Sequence, residues 1–372
     1  MTQTQQINTI NPLVSVIIPA YNAEKFIQKT LESVLNQTYN NIEVLVVDDG
    51  SQDKTAEIVK FIVQQDSRVI LLQQENTGVA AARNLAISKS RGEYIAPIDA
   101  DDIWFPQNLE KQVQCIITSN INVGLVYSWS VYIDEADFLT GGFAASPIEG
   151  EVYTTLVYQD FIGNGSCCLI RRDCFKKIGD YKNCPGSEDF DLYIRIAEYY
   201  QFRVVPEFLI GYRKLPNSLS SYYMRIAEFR NLIWQSIRQK YPHIPTKLYQ
   251  LSLVSFYMYL ARQSSQKGNY RNTLYWLWLA VKTDLSTLFL RYGFYILLIK
   301  SCLKIIFNPI ISQILQNDNL PLAKQNLKNE QPKMTLNDFQ QKKHWAIKLR
   351  LLVWDKLHWL IPKLFGTQKN WV

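Results

Sequence analysis

At 372 residues, with 47% hydrophobic and 13% aromatic side chains, the chain can bury a large core, and two domains are the natural expectation. Six cysteines with no CxxC pair, and three histidines far from them in sequence, argue against a structural zinc site and for reduced thiols. The net charge of +7 is concentrated in residues 341–372, where seven Lys/Arg face one acid, Asp355; no recognised reading module accompanies that charge, so nucleic acid is not an expected partner.

Residues 1–12 are polar and read as a disordered terminus without a secretory signal. Val14–Ile18 then reads as a strand closed by Pro19. Glu24–Gln37 reads as a helix, because Phe26, Ile27, Leu31, Val34 and Leu35 recur at helical spacing. Strand Ile42–Val47, helix Lys54–Gln64, strand Arg68–Gln73, the Ala-rich helix Val79–Lys89 and strand Glu93–Ile98 follow. This rhythm predicts a doubly wound, mostly parallel α/β sheet with right-handed crossovers.

The stretch 103–222 is mixed, with a strand at Val123–Trp129, a turn at Gly163-Asn164-Gly165-Ser166 before Cys168–Arg171, and a helix over Asp191–Tyr200. From Arg225 to about Leu315 the pattern is helical, broken at Gly268-Asn269-Tyr270. Asn317–Lys333, with Pro321 and Pro332, reads as a linker, and a final helix over 335–361 is expected to end at Pro362. The expected division is therefore a terminus (1–12), an α/β domain (13–222), a helical region (223–316), a linker (317–334) and a basic, Trp-rich C-terminal helix (335–372). The longest uncharged apolar-leaning run in the C-terminal half, Leu248–Ala261, is 14 residues, short of the about 20 that a spanning helix needs.

Two acid clusters, Asp48-Asp49-Gly50-Ser51 and Asp99-Ala100-Asp101-Asp102, each follow a run that reads as a buried strand. Carboxylates at the carboxyl ends of parallel strands occupy the ligand-binding edge of an open α/β sheet. For the first cluster an ordinary strand-to-helix turn, with Asp accepting backbone hydrogen bonds, stays open. In the second, three aspartates within four residues repel one another unless a cation or a donor is near. Hard divalent cations such as Mg²⁺ or Mn²⁺ bridge carboxylates to substrate phosphates. A third acid group, Glu188-Asp189-Phe190-Asp191, sits where a helix begins, a position that the helix dipole also favours for acids.

Val14–Asn22, Ser33–Tyr39, Val47–Ser51, Asn76–Asn84 and Asp99–Asp102 together resemble the ordered motifs of the family 2 glycosyltransferases, over about residues 12–215. The resemblance implies a GT-A fold and transfer of a sugar from a nucleotide-diphosphate donor. It implies that Pro19, Ala20 and Tyr21 line the nucleotide pocket, that Asp48 or Asp49 contacts the nucleobase (uracil), and that Arg83 lies near the phosphates or the base. Asp99-Ala100-Asp101 matches the family's D-x-D, with Asp101 as the direct Mn²⁺ or Mg²⁺ ligand, Asp99 beside it and Asp102 competing for the role. Asp189 is the implied base that takes the acceptor hydroxyl's proton, with Asp191 and Glu188 as alternates.

Tyr212–Ser220 resembles a later family segment, but Lys214 or Leu215 stands where a His often falls; Arg213 or Lys214 is the substitute on the diphosphate. Gln235-Ser236-Ile237-Arg238-Gln239 lacks the Trp of the processive members' motif, which points to single-sugar addition. The expected acceptor is a glycan or lipid-linked glycan. A nucleotidyltransferase is a weaker reading, because Pro19-Ala20-Tyr21-Asn22 is not a Gly-rich phosphate loop. The rival from another class is a catalytically silent scaffold acting through its helical C-terminal region.

The tail mixes basic and aromatic residues without gathering its charges on one helical face. Trp345, Leu352 and Trp359 fall together, with Lys356 and Lys363 near them. Shallow membrane association and packing onto the protein both stay open. The expected location is cytoplasmic, with peripheral contact at the cytoplasmic face of a membrane as an option.

Overall fold

The computed structural model describes residues 11–215, 223–288, 291–317 and 334–371. The first strands and helices alternate: β1 (Val14–Ala20), α1 (Ile27–Leu35), β2 (Ile42–Asp48), α2 (Thr55–Gln65), β3 (Val69–Gln73), α3 (Val79–Lys89) and β4 (Tyr94–Pro97). A mixed stretch follows: β5 (Ile103–Trp104), α4 (Asn108–Ile117), β6 (Val123–Ile133), β7 (Leu139–Ala144), α5 (Tyr153–Tyr158), β8 (Cys168–Arg171), α6 (Arg172–Ile178), α7 (Glu188–Ala197) and β9 (Gln201–Arg213). The rest is helical: α8 (Tyr223–Lys240), α9 (Thr246–Gln266), α10 (Tyr270–Thr283), α11 (Leu285–Leu288), α12 (Tyr292–Asn317) and α13 (Leu336–Phe365).

One sheet runs β3-β2-β1-β4-β8-β6-β9-β5, with β7 added on β6. β3, β2, β1 and β4 pair in parallel. Every residue of β2 is buried, the signature of a parallel strand covered on both faces. Beyond β4 the sheet becomes mixed: β8 is antiparallel to both β4 and β6, whereas β6 and β9 run parallel. The α/β expectation therefore holds, with the parallel character concentrated in the half that carries the two aspartate clusters. The helix expected from Glu24 begins only at Ile27, because Ala23 O caps a turn by accepting from both Phe26 N and Ile27 N.

The chain divides into two compact units. The first is Met1–Leu156, Asp160–Gln235 and Lys333–Leu360; the second is Val157–Gln159, Ser236–Pro332 and Ile361–Val372. In the second, α9 and α10 form a hairpin whose turn needs Gly268 at φ +74°, and Asn269 caps α10 by accepting from Asn272 N. Tyr257 stacks on Trp276 across that hairpin, at 6.1 Å between ring centroids. The expected linker falls mostly on residues 318–333, outside those described.

In the first unit α13 packs onto the sheet. Phe339 is fully buried among Trp129, Val131, Phe208 and Ala145. Its ring lies edge-on to Phe143 and Phe208. Arg350 donates to the carbonyls of Phe143 and Ala145, and Trp354 meets Phe161 at 6.2 Å. The helix does not end at Pro362 as expected; it runs to Phe365. Pro362 removes one N–H donor, but so near the end the loss is a single bond, and the stop is Gly366, at φ +74° with its N–H on Pro362 O.

Phe339→Ala is expected to destabilise the protein by about 3–5 kcal/mol in urea unfolding. Leu349→Ala, on the exposed side of the same helix, should change stability by less than about 0.5 kcal/mol.

Candidate active site

The site lies where β1, β2, β3 and β4 end. The Asp99–Asp102 loop is pinned from three sides. Thr30 of α1 donates to the carbonyls of Ala100 and Asp102, at 2.9 and 2.8 Å. Ser166 accepts from Asp99 N at 3.0 Å and donates to Asp102 Oδ2 at 2.5 Å. Arg213 N donates to Asp102 Oδ1 at 2.8 Å, and its Nε reaches Asp101 O at 2.6 Å. Asp102 is thus fully buried with both oxygens bonded. Asp101, on the same loop, keeps some exposure.

Arg213 is committed to this loop and to its surroundings. Its guanidinium bonds Asp134 O and Asp137, and it stacks over Phe26 at 4.7 Å. It is fully buried. The structure therefore gives Arg213 a scaffolding contact rather than an open face. Lys214 lies over the Tyr212 and Tyr132 rings. Residues 216–220 of the same motif lie outside the described residues.

Arg83 is the centre of the acid group. It is 1% exposed. Its Nη2 donates to Asp99 Oδ1 at 2.7 Å, and its Nη1 donates to Asp189 Oδ1 at 2.8 Å and to Glu188 Oε1 at 3.2 Å. The guanidinium also lies 5.1 Å from the centroid of the Tyr181 ring. Arg83 was expected near the phosphates or the base; here it joins the D-x-D loop to the start of α7.

The three α7 acids separate cleanly. Asp191 holds Arg195 at 2.7 Å and Lys182 at 3.4 Å. Glu188 is 5% exposed, with Oε2 unbonded among the described residues. The Asp189 side chain keeps 21% exposure, and its second oxygen, Oδ2, accepts no hydrogen bond among the described residues. One guanidinium cannot neutralise three carboxylates. Burial pushes the Asp189 carboxyl up to about 8, with Arg83 acting against the shift and the Glu188 and Asp99 charges adding to it.

The other expected residues form a second group. Tyr21 is half exposed beside an open cleft of about 520 Å³, lined also by Gly50, Gln52, Gln73, Gln74 and Asn76. Pro19 and Ala20 end β1 just before it, and Ala20 O accepts from Asp49 N. Asp48 accepts from Ser51 N and Gln73 Nε2, both at 3.1 Å. Asp49 accepts from Gln74 Nε2, Thr77 N and Gly78 N, which caps α3. Both carboxylates are buried and bonded, as the turn reading allowed.

The sequence reading missed four participants. Gln73 and Gln74 line the cleft and orient Asp48 and Asp49; their place at the carboxyl end of the third parallel strand was the available signal. Ser166 ties the D-x-D loop to β8's approach. Gly165 leaves room for Asp189, since a Cβ there would fall 2.7 Å from Asp189 Oδ2.

Asp99 and Asp101 suit a hard divalent cation. Burial first, and then the Asp99 charge, push the Asp101 carboxyl up to about 7, with Arg213 acting against the shift; Asp99 itself is paired with Arg83. The donors of the two residues are carboxylate oxygens, the set that Mg²⁺ and Mn²⁺ prefer. Among the described residues no three His, Cys, Asp or Glu converge on one point, which leaves further ligands to substrate phosphates or water.

Arg83→Met is expected to cost about 3–5 kcal/mol at neutral pH, by stranding buried carboxylates. The loss should shrink as pH falls below about 8, where the Asp189 carboxyl, raised by burial, takes up a proton. In the unaltered chain the Asp189 pKa is raised by folding, so its contribution to stability is fully present below the ordinary carboxylate range and is lost as pH rises towards about 8. Urea unfolding of both chains across that range checks the sign.

Comparison with known proteins agrees with this geometry. The family described as glycosyl transferase family 2 matches residues 15–179. An uncharacterised glycosyltransferase of Methanocaldococcus jannaschii, MJ1057, is 34% identical over 221 residues, covering 58% of this chain and 75% of that protein. The Escherichia coli protein WfaP, named as a UDP-Glc:alpha-D-GlcNAc-diphosphoundecaprenol beta-1,3-glucosyltransferase, is 41% identical over 138 residues, covering 37% of this chain and about half (53%) of its own length. Among solved structures, residues 1–349 of Staphylococcus aureus TarS with UDP-GlcNAc share the fold at a TM-score of 0.51 and 21% identity, over 60% of this chain and 66% of that one. The fold is of the GT-A type, and the chain belongs to glycosyl transferase family 2.

Proposed function

We propose that this chain transfers a single sugar, with inversion, from a UDP-sugar to a hydroxyl of a glycan or lipid-linked glycan. The observation that carries the reading is the Asp189 carboxylate. It lies in the first turn of a helix, its pKa is raised, and one oxygen is fixed by Arg83 while the other accepts no hydrogen bond among the described residues. A general base needs this combination of fixed direction, open lone pairs and a pKa near the working pH.

Asp189 takes the proton from the acceptor hydroxyl as that oxygen attacks the anomeric carbon from the face opposite the leaving diphosphate. Arg83 holds Asp189 and Asp99 in fixed relation, so that base and donor-phosphate site keep their spacing. Tyr21 and the amides of Gln73 and Gln74 offer a stacking surface and polar partners to the nucleobase, with Asp48 and Asp49 behind them. Mn²⁺ or Mg²⁺, held by Asp101 with Asp99, would offset the charge on the departing diphosphate. Asp102 is the weaker candidate ligand, because Ser166 and Arg213 already occupy its oxygens. Asp191 is a weaker candidate base because Arg195 and Lys182 hold its two oxygens, and Glu188 because it is buried at 5% exposure.

The UDP donor and the lipid-linked acceptor are supported by the name of the Escherichia coli relative. Single-sugar addition rests on the missing Trp after Arg238. A lipid-linked acceptor would place the enzyme at the cytoplasmic face of a membrane.

Asp101→Ala and Asp189→Asn are each expected to abolish measurable turnover, read as nucleotide-diphosphate release from a panel of sugar nucleotides. Loss of the base alone should cost on the order of 10²–10⁴-fold. Asp101→Ala should also lose metal-dependent nucleotide binding, and Asp189→Asn should keep it. Retained turnover in Asp189→Asn removes the base assignment.

A further inference from the structure

α13 has two faces of different character. The inner one carries Phe339, Ile347, Leu351 and Trp354 against the sheet. On the other side Trp345 is 80% exposed, Leu349 64%, Leu352 50% and Trp359 62%. These four recur at i, i+4, i+7 and i+14, a single stripe along the helix. Lys342, Lys348 and Lys356 are exposed on or beside that stripe. The Lys348 ammonium lies 5.7 Å from the centroid of the Trp345 ring, so its stem runs along the aromatic surface. α13 holds two acids: Asp355, about 80° round the helix from Trp345, and Asp338, on the stripe side in the first turn, where its carboxylate accepts from Thr335 N and Oγ1.

We propose that this outer face of α13 docks on an anionic lipid bilayer, with the tryptophans and leucines in the headgroup–acyl boundary and the three lysines on lipid phosphates. Interleaved Trp and Lys on one face are what that boundary accepts. Amphipathic rings sit at headgroup depth, and lysine stems cover apolar surface while their ammonium groups stay with the phosphates. The helix would lie on the surface, since among the described residues no helix is long and apolar enough to cross a membrane. A second copy of the chain fits less well, because pairing two such faces sets lysines against lysines. Residues 336–360 belong to the same compact unit as the acid cluster. Docking would thus bring that cluster to a lipid-linked acceptor. The link to the acceptor rests on the reading of function above; the docking itself is tested without any sugar.

The test is sedimentation of the full chain with vesicles of phosphatidylcholine alone or mixed with phosphatidylglycerol. Pelleting with the mixed vesicles, weakened by salt, is expected, with little on the neutral ones. The double variant Trp345→Ser, Trp359→Ser should stay in the supernatant. Lys342→Gln, Lys348→Gln, Lys356→Gln together should weaken partitioning about a hundredfold, taking roughly fivefold per lysine. These lysine changes are all on exposed positions, so they keep the test sound if the tryptophan variant folds poorly. No pelleting of the unaltered chain with anionic vesicles, or equal pelleting of it and the lysine variant, overturns the proposal. So does a dimer in light scattering that the tryptophan variant abolishes, which would give the face to a second copy. Pelleting that persists in a chain unable to bind any nucleotide supports the docking and sinks only the sugar-transfer reading.

Discussion

A guanidinium that is 1% exposed cannot stand without counter-charges, and Arg83 takes three: Asp99 at the end of β4, and Glu188 and Asp189 at the start of α7. Its neighbour Asn84 makes a reciprocal pair with the backbone of Tyr181, donating at 2.9 Å and accepting at 3.0 Å. Two adjacent residues of α3 therefore fasten the segment leading into α7. The parallel half of the sheet carries one end of this tie, and α7 carries the other. Removing the cation would leave several buried charges facing one another, so the arrangement is all-or-none in electrostatic terms.

A second network divides the work among the aspartates. Asp102 is spent on structure, bonded by Ser166 and by Arg213 N. That leaves Asp101 with its backbone held by Arg213 and with no ion pair on its carboxylate among the described residues. Three neighbouring acids thus have three different states. Asp99 is ion-paired, Asp101 is undercompensated, and Asp102 is buried and hydrogen-bonded. Equal carboxylates acquire unequal roles from their surroundings alone.

Much of this was legible in the residues. The strand–helix alternation from Val14 to Ile98 follows from apolar runs punctuated by Asp, Gly and Pro, and the structure repeats it nearly element for element. The short strands β5 and β7 were not legible, because two residues at Ile103–Trp104 and a Gly-Gly pair within Leu139–Ala144 carry no periodic signal. The partners of Arg83 lie 16, 105 and 106 residues away, distances at which no local pattern reports contact. Gly165 read as a turn; its second use, clearing space for Asp189, depends on the tertiary approach of α7. The tail's charges looked scattered on a helical wheel. Packing resolves them, since Arg350 faces inward to the Phe143 and Ala145 carbonyls while Lys348 and Lys356 face outward.

The most direct measurement is calorimetric titration of the full chain with UDP, GDP, dTDP and CDP, each with Mn²⁺ and with a chelator. Binding of UDP in the presence of Mn²⁺, lost on chelation, is the result the account requires: it would establish that the cleft beside Tyr21 and the Asp99–Asp101 pair form one donor site. Binding of none of the four nucleotides, or UDP binding indifferent to the metal, would contradict it.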